Sequence, residues 1–161
     1  MKTLFLVRHA KSSKDDPSLP DRERPLNDRG MHDAPKMGQR LAERDVKIDL
    51  IVSSPATRAL STAELFAKQL DYKSKDIVID ERLYESSPDK LLKVINEFGE
   101  KPRRLMLFGH NPEFTALAQR LSSKVMEMPT CAVAEFEFDI RSWSEVAKRA
   151  PRKVTLYSPK D

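Results

Sequence analysis

LFLVRHAKSS, residues Leu4 to Ser13, is the stretch on which the reading of the fold turns. Four apolar residues run without a break into Arg8 and His9. A short continuous apolar run is the mark of a strand covered on both faces, because both of its side-chain rows must meet apolar layers. The guanidinium and the imidazole leave that strand at its carboxyl end. Open α/β sheets bind their ligands beyond those ends.

Working outward, Leu50–Ser53 and Leu105–Phe108 repeat the pattern of the first strand, and residues 77–79, IVI, form a shorter one. CAVAEFEFDI, Cys131–Ile140, differs. Ala132, Ala134, Phe136, Phe138 and Ile140 alternate with Val133, Glu135, Glu137 and Asp139, which predicts a strand with one wetter face. Lys153–Tyr157 gives a last strand. Helical periodicity fills the gaps. Leu60, Ala63, Phe66, Ala67 and Leu70 share a stripe over 57–70; Leu91, Leu92, Ile95 and Phe98 share one over 88–98. Phe114, Leu117, Ala118 and Leu121 do so over 113–122. Met31, Ala34, Met37 and Leu41 mark a further helix that begins near Asn27 and bends at Pro35, or begins near Asp33. Strands alternating with helices predict an α/β fold: a three-layer α/β/α sandwich around a mostly parallel central sheet with an antiparallel strand.

The chain has 161 residues, enough for a real core and the size of one domain, so residues 1–161 are expected to form a single domain. No apolar run approaches the roughly 18 residues of a membrane helix. MKTLFLVRHA lacks the length and cleavage site of a signal peptide, and the lone Cys131 allows no disulfide framework, so a cytoplasmic protein is expected. The net charge of +4 comes from interspersed acids and bases, which reads as a solvated surface. The short basic clusters Arg103–Arg104 and Lys148–Lys153 lack the zinc spacing and aromatic interleaving of a nucleic-acid module. Three scattered histidines, one cysteine and no carboxylate-rich loop give no metal-ligand pattern. No nucleic acid, membrane, metal or cofactor is therefore expected. A monomer fits this composition, although no residue pattern fixes the oligomeric state.

Three junctions share a grammar. LIVSSPATRA, LMLFGHNPEFTA and ERLYESSPDKLLKVI each put Ser or Asn before Pro at a helix start, with Ser54-Pro55, Asn111-Pro112 and Ser87-Pro88. Ser and Asn cap helices well, Pro suits the first helical position, and the free N–H groups there favour an anion. Arg58 falls in the first turn of its helix, where the dipole disfavours a cation unless an anion sits between them. His110 ends one strand as His9 ends another, and Glu85 lies two residues before Ser87. With those strands as parallel neighbours, two arginines and two histidines converge on one rim, with Glu85 close by. Taken singly, each residue is more often a surface charge or a structural histidine. His32, in a charged segment with no apolar run before it, reads as surface.

At these residues the chain resembles the histidine phosphatase superfamily, with its phosphoglycerate-mutase-like fold. VRHAKSS matches the family's opening Arg-His-Gly motif with Ala10 in place of glycine. SSPATRALSTAE resembles its second motif, GHNP the motif around its second histidine, and RPLNDRG the segment leading to the first helix. The short length, Ala10-Lys11-Ser12 and LYES are most similar to the SixA-type phosphohistidine phosphatases.

The resemblance implies a metal-independent phosphatase with His9 as nucleophile and a phosphohistidine enzyme intermediate. It implies Arg8, Arg58 and His110 as the phosphate clamp, and Ser12, Ser54 and Asn111 as secondary ligands. Ser54 and Asn111 read equally well as helix caps, the better reading for Ser54. Glu85 occupies roughly the place of a general acid, which an alkoxide leaving group needs and an imidazole of pKa about 6.5 does not. The implied partner is a phosphohistidine-bearing protein, because no long insertion before GHNP could build a lid over a small metabolite. The alternatives are a small-molecule phosphomonoesterase using Glu85 as acid, and a non-catalytic phosphate-binding module.

Overall fold

The computed structural model describes residues 1–125 and 127–160. At its centre lies a six-stranded sheet of β1 (Lys2–Arg8), β2 (Leu50–Ser53), β3 (Val78–Ile79), β4 (Arg104–Gly109), β5 (Val133–Phe138) and β6 (Lys153–Tyr157). The order across the sheet is β3-β2-β4-β1-β5-β6. β1 pairs parallel with β4, β4 with β2 and β2 with β3, while β5 runs antiparallel to both β1 and β6. β5 is thus the one reversed strand, and the fold is the three-layer sandwich that the alternation of strands and helices predicts.

β1 shows why its sequence is apolar on both rows. Leu4 and Leu6 enter one apolar cluster, Phe5 and Val7 the other. On the Phe5 side lie α1 (Asp28–Glu43) and α2 (Thr57–Gln69), through Ala34, Met37, Leu41, Ala63 and Phe66. On the Leu4 side lie α3 (Pro88–Asn96), α4 (Glu113–Leu121) and a 3-10 segment at Trp143–Lys148, through Leu91, Ile95, Phe114, Leu117 and Trp143. β3 sits at the sheet edge, and its two residues are exposed. The helices match the apolar stripes to within a residue or two at their ends, where assignments ordinarily drift.

Of the two starts the sequence allowed for α1, the first is adopted. Asn27 is the N-cap, its Oδ1 accepting from Gly30 N–H at 2.9 Å, and Pro35 lies inside the helix. Gly30 is required here: a Cβ would fall 2.2 Å from the Lys11 carbonyl oxygen, so glycine lets α1 approach the loop that follows β1. The wetter face expected of β5 is corrected at Glu135, which is only 6% exposed. Arg44, the C-cap residue of α1, donates to its Oε1 at 3.0 Å, and the Tyr157 hydroxyl donates to the same oxygen at 3.2 Å. Burial pushes the Glu135 carboxyl up, and the adjacent Arg44 opposes that shift.

Candidate active site

The register of the sheet builds the rim. Arg8 stands opposite Gly109, and Ser53 opposite Phe108. The next residues continue the pairing: His9 N–H donates to Gly109 O at 3.0 Å and Ser54 N–H to Phe108 O at 2.9 Å. His9, His110 and Ser54 therefore leave three adjacent strands at one level. The two imidazole centroids are 5.2 Å apart. Two further residues fix the β1 and β4 tips. A Cβ on Gly109 would lie 2.4 Å from the Phe114 ring, so glycine allows that ring to pack against the strand end. Cys131 adopts left-handed backbone (φ 64°), and its N–H is shared between the Arg8 and His9 carbonyls at 3.1 and 3.0 Å.

His9 is 8% exposed, and its Nδ1 lies 2.7 Å from the Ala10 carbonyl oxygen. A carbonyl only accepts, so Nδ1 carries the proton and Nε2 keeps its lone pair. Burial, and then the nearby Arg58, Arg8 and Arg24, lower its pKa to about 4 against the pull of the Ala10 hydrogen bond, so the ring is neutral at pH 7. Ala10 N–H donates to Thr62 Oγ1 at 3.0 Å, and that hydroxyl donates to Arg58 O at 2.7 Å. The β1 tip and the start of α2 are tied through one threonine.

His110 is held from its other nitrogen. Its Nε2 is 2.8 Å from Ser54 Oγ, which accepts from Ala56 N–H at 3.2 Å and can give its own hydrogen to the ring. With Ser54 as that donor, the neutral imidazole carries its proton on Nδ1, a buried atom with no partner among the described residues. Burial lowers its pKa to about 3, with His9, Arg58 and Arg8 adding to the effect and Asp21 opposing it.

Two guanidiniums complete the cluster. Arg8 Nη1 donates to Met128 O at 3.1 Å. Arg58, 6% exposed in the first turn of α2, donates from Nη1 to Asp21 O at 2.7 Å and from Nη2 to Asp21 Oδ2 at 2.9 Å. Both Nε atoms are buried and have no partner among the described residues. Asp21 belongs to a 3-10 turn, Asp21–Glu23, that the sequence reading did not single out. Its Oδ2 also accepts from the Tyr84 hydroxyl at 2.6 Å, and its Oδ1 from Arg24 Nε at 3.1 Å. The Tyr84 hydroxyl, then Arg58 and Arg24, hold this carboxyl well below the usual carboxylate range. The Tyr84 ring stands edge-on to His110 at 5.5 Å.

The remaining expected residues lie as follows. Glu85 is exposed, on left-handed backbone (φ 49°), and the residue of its loop that meets His110 is Tyr84. Ser12 Oγ accepts from Arg24 Nη1 at 2.8 Å. Asn111 has both ends of its amide engaged, Oδ1 by Thr115 N–H at 3.1 Å and Nδ2 by Met128 O at 2.9 Å. His32 is exposed. The shared cap grammar is corrected at two of the three junctions. Ser87 caps α3 with Pro88 as its first residue, but Ala56 occupies the cap position of α2 and Pro112 that of α4. Ser54 turns to His110 instead, and Asn111 reaches the α4 start from one residue earlier. Arg24, Thr62, Asp21 and Tyr84 were missed. Arg24, Thr62 and Tyr84 lie inside the motif stretches RPLNDRG, SSPATRALSTAE and LYES, while Asp21 lies outside all of them.

The chain belongs to the histidine phosphatase superfamily (branch 1), whose model matches residues 4–130. An uncharacterized chloroplastic protein of Arabidopsis thaliana is 31% identical over 150 residues, covering 88% of this chain and 69% of the relative. Among solved structures, a candidate phosphohistidine phosphatase SixA from Agrobacterium tumefaciens is similar at a TM-score of 0.77 and 27% identity, over 84% of this chain and 90% of that one. The protein histidine phosphatase SixA complexed with tungstate shares the fold at 0.75 and 21% identity, over 98% of this chain and 97% of the other. The chain is a phosphatase with the phosphoglycerate-mutase-like fold. Among the described residues no helix is long and apolar enough to cross a membrane, and no group of three or more His, Cys, Asp or Glu side chains could hold a metal ion.

Proposed function

We propose that residues 1–161 act as one domain that hydrolyses phosphohistidine in a protein, with His9 as nucleophile. One observation carries the reading: three buried nitrogens without a partner among the described residues, Arg8 Nε, Arg58 Nε and His110 Nδ1, belong to the residues grouped around His9. Buried donors are ordinarily satisfied, and a set of them on two guanidiniums and an imidazole suits a phosphoryl group. Charge on the equatorial oxygens of phosphorus in flight is what such donors stabilise.

In this scheme His9 Nε2 bonds to phosphorus as the bond to the leaving nitrogen breaks. The departing imidazole takes its proton from solvent. Water then attacks phosphorus, orthophosphate leaves, and His9 is neutral again. Anion binding favours a charged His110, reversing the effect of its burial. No step calls for a metal. An imidazole leaving group also explains why the loop presents the Tyr84 ring to His110 while Glu85 stands exposed. The tungstate bound by the SixA of similar fold is a tetrahedral oxyanion of the same kind.

Turnover of a phosphohistidine peptide, an aryl phosphate and sugar phosphates by wild type and Glu85→Gln tests the reading. We expect the peptide to be the best substrate, and Glu85→Gln to change its turnover by less than about 3-fold. Poor peptide turnover with a loss of about 10²-fold or more on the esters in Glu85→Gln would establish the phosphomonoesterase instead.

A further inference from the structure

We infer that Asp21 is a positioning residue, whose carboxylate and backbone carbonyl fix the plane of the Arg58 guanidinium so that Nε–H faces the phosphoryl site. The inference rests on the proposed role of Arg58 as a phosphate clamp. A guanidinium has five N–H donors in a rigid fork. Asp21 takes one from each Nη, through its main-chain O at 2.7 Å and its Oδ2 at 2.9 Å. Two such bonds to a single residue set both the direction and the roll of the fork. Nε–H is left buried at the start of α2, with no partner among the described residues.

Anchoring of Asp21 itself supports this. Its side chain is 53% exposed, against 7% for Arg58, and a half-exposed carboxylate is ordinarily free to sample several rotamers. Yet it accepts from Tyr84 through Oδ2 and from Arg24 through Oδ1. The neighbouring Arg22 packs over the Tyr84 ring at 5.3 Å and pairs with Glu81 at 3.0 Å. The 3-10 turn is thereby fastened to the loop facing His110, and the carboxylate is held still on Arg58. Such an arrangement holds a buried cation in one orientation.

The opposite role is also chemically sensible: a carboxylate on Arg58 could compete with phosphate for the same cation. The two roles differ in sign. A competitor, once removed, leaves a site that binds anions more tightly and turns over at least as fast. A positioning residue, once removed, leaves Arg58 free to rotate, and misplacement on the ångström scale is costly in the transition state.

Steady-state hydrolysis of an aryl phosphate and titration with orthophosphate by wild type, Asp21→Ala, Asp21→Asn, Arg58→Ala and the Asp21→Ala/Arg58→Ala pair make the test. We expect Asp21→Ala to lower kcat by about 10-fold or more with KM changed less than about 3-fold. Asp21→Asn, which keeps an acceptor oxygen, should recover most of that loss. In the Arg58→Ala background the Asp21 substitution should cost less than about 2-fold, because the two act as a unit. Tighter orthophosphate binding in Asp21→Ala with undiminished kcat would overturn the inference. So would an Asp21→Ala loss that persists in full without Arg58, which would mark a purely structural role. Arg58→Ala with wild-type activity would instead remove the clamp reading itself.

Discussion

The two halves of the site are built in different ways. The strand half, His9, His110 and Ser54, is placed by backbone register: each residue follows a strand whose neighbours are already hydrogen-bonded, and both imidazoles are at least nine-tenths buried. The loop half, residues 21–24 and 81–85, is tied to the site by side chains, through the Asp21 carboxylate, the Tyr84 phenol and ion pairs that include Arg22–Glu81, Arg24–Asp21 and Arg58–Asp21. A register cannot shift by a fraction of a residue, so the strand half has one geometry. The loop half can be loosened a contact at a time. In the proposed scheme attack on phosphorus belongs to the first half. The second half holds Arg58 through Asp21 and sets the Tyr84 ring against His110.

That division makes the largest prediction. In the proposed scheme a single atom of the strand half, His9 Nε2, does what nothing else can. His9→Ala should lower aryl-phosphate turnover by more than about 10³-fold and abolish any acid-labile phosphoenzyme. Substitutions in the loop half should leave measurable catalysis. Activity surviving His9→Ala within about 10-fold of wild type would end the comparison, since the strand half would then hold no indispensable group.

The second prediction uses pH. His9 and His110 have pKa values lowered from 6.5 to about 4 and about 3 by burial, so the unfolded chain takes up protons that the folded chain refuses. Stability is then independent of these groups above pH 6.5 and is lost as pH falls from there toward 4 and 3. Each histidine can contribute a slope of up to about 1.4 kcal/mol per pH unit across that window. Asp21, in the loop half, acts lower: its depressed pKa contributes stability that is lost only below the unfolded carboxylate pKa of about 3.9. Glu135, raised by burial, works with the opposite sign over the carboxylate range. Urea denaturation at pH 7, 6 and 5 should show falling stability in wild type and a flatter profile in His110→Asn. Orthophosphate should protect increasingly as the pH falls, because it favours the charged imidazole. Equal slopes in wild type and His110→Asn would show that His110 is not held neutral.

The same division explains what could be read from sequence. Strands that are apolar on both rows announce themselves, and so do polar residues at their ends. His9, Arg8, His110 and the antiparallel strand were legible because covalent order and a period of two fix where such residues go. Arg58 was legible from a helix start that ought to repel it. Asp21, Tyr84 and Thr62 were not. Each is 37 to 63 residues from the partner that gives it meaning, as in Arg58 to Asp21 and Tyr84 to Asp21, and a stretch such as LYES does not say which distant group its tyrosine reaches. The cap grammar failed at Ser54 for a related reason. A hydroxyl that could cap a helix can also hold an imidazole on the next strand, and only the fold decides between them.

The smallest effects bear on two adjacent strand ends, Gly109 of β4 and Ala10 just past β1. Gly109 has no room for a methyl, because the Phe114 ring would lie 2.4 Å from it. Gly109→Ala should cost about 1–3 kcal/mol by overpacking and should lower activity by tilting the strand end that aims His110. Ala10 stands where the superfamily motif has glycine, yet its methyl is fully buried in the apolar cluster on the α1 side. Its backbone is not in the left-handed region, which among the described residues other than glycine holds Asp45, Asp71, Glu85 and Cys131. Its N–H and C=O are already committed to Thr62 and His9. Nothing at this position requires glycine. Ala10→Gly therefore removes a packed methyl and adds freedom to the unfolded chain, and it should destabilise by about 1 kcal/mol with activity within about 3-fold. The pair is measured by chemical denaturation on the same day with the same probe. A stabilising Ala10→Gly would mean that the methyl is strained against the His9 turn, and that the strand half carries tension that the loop half, held by adjustable side chains, does not.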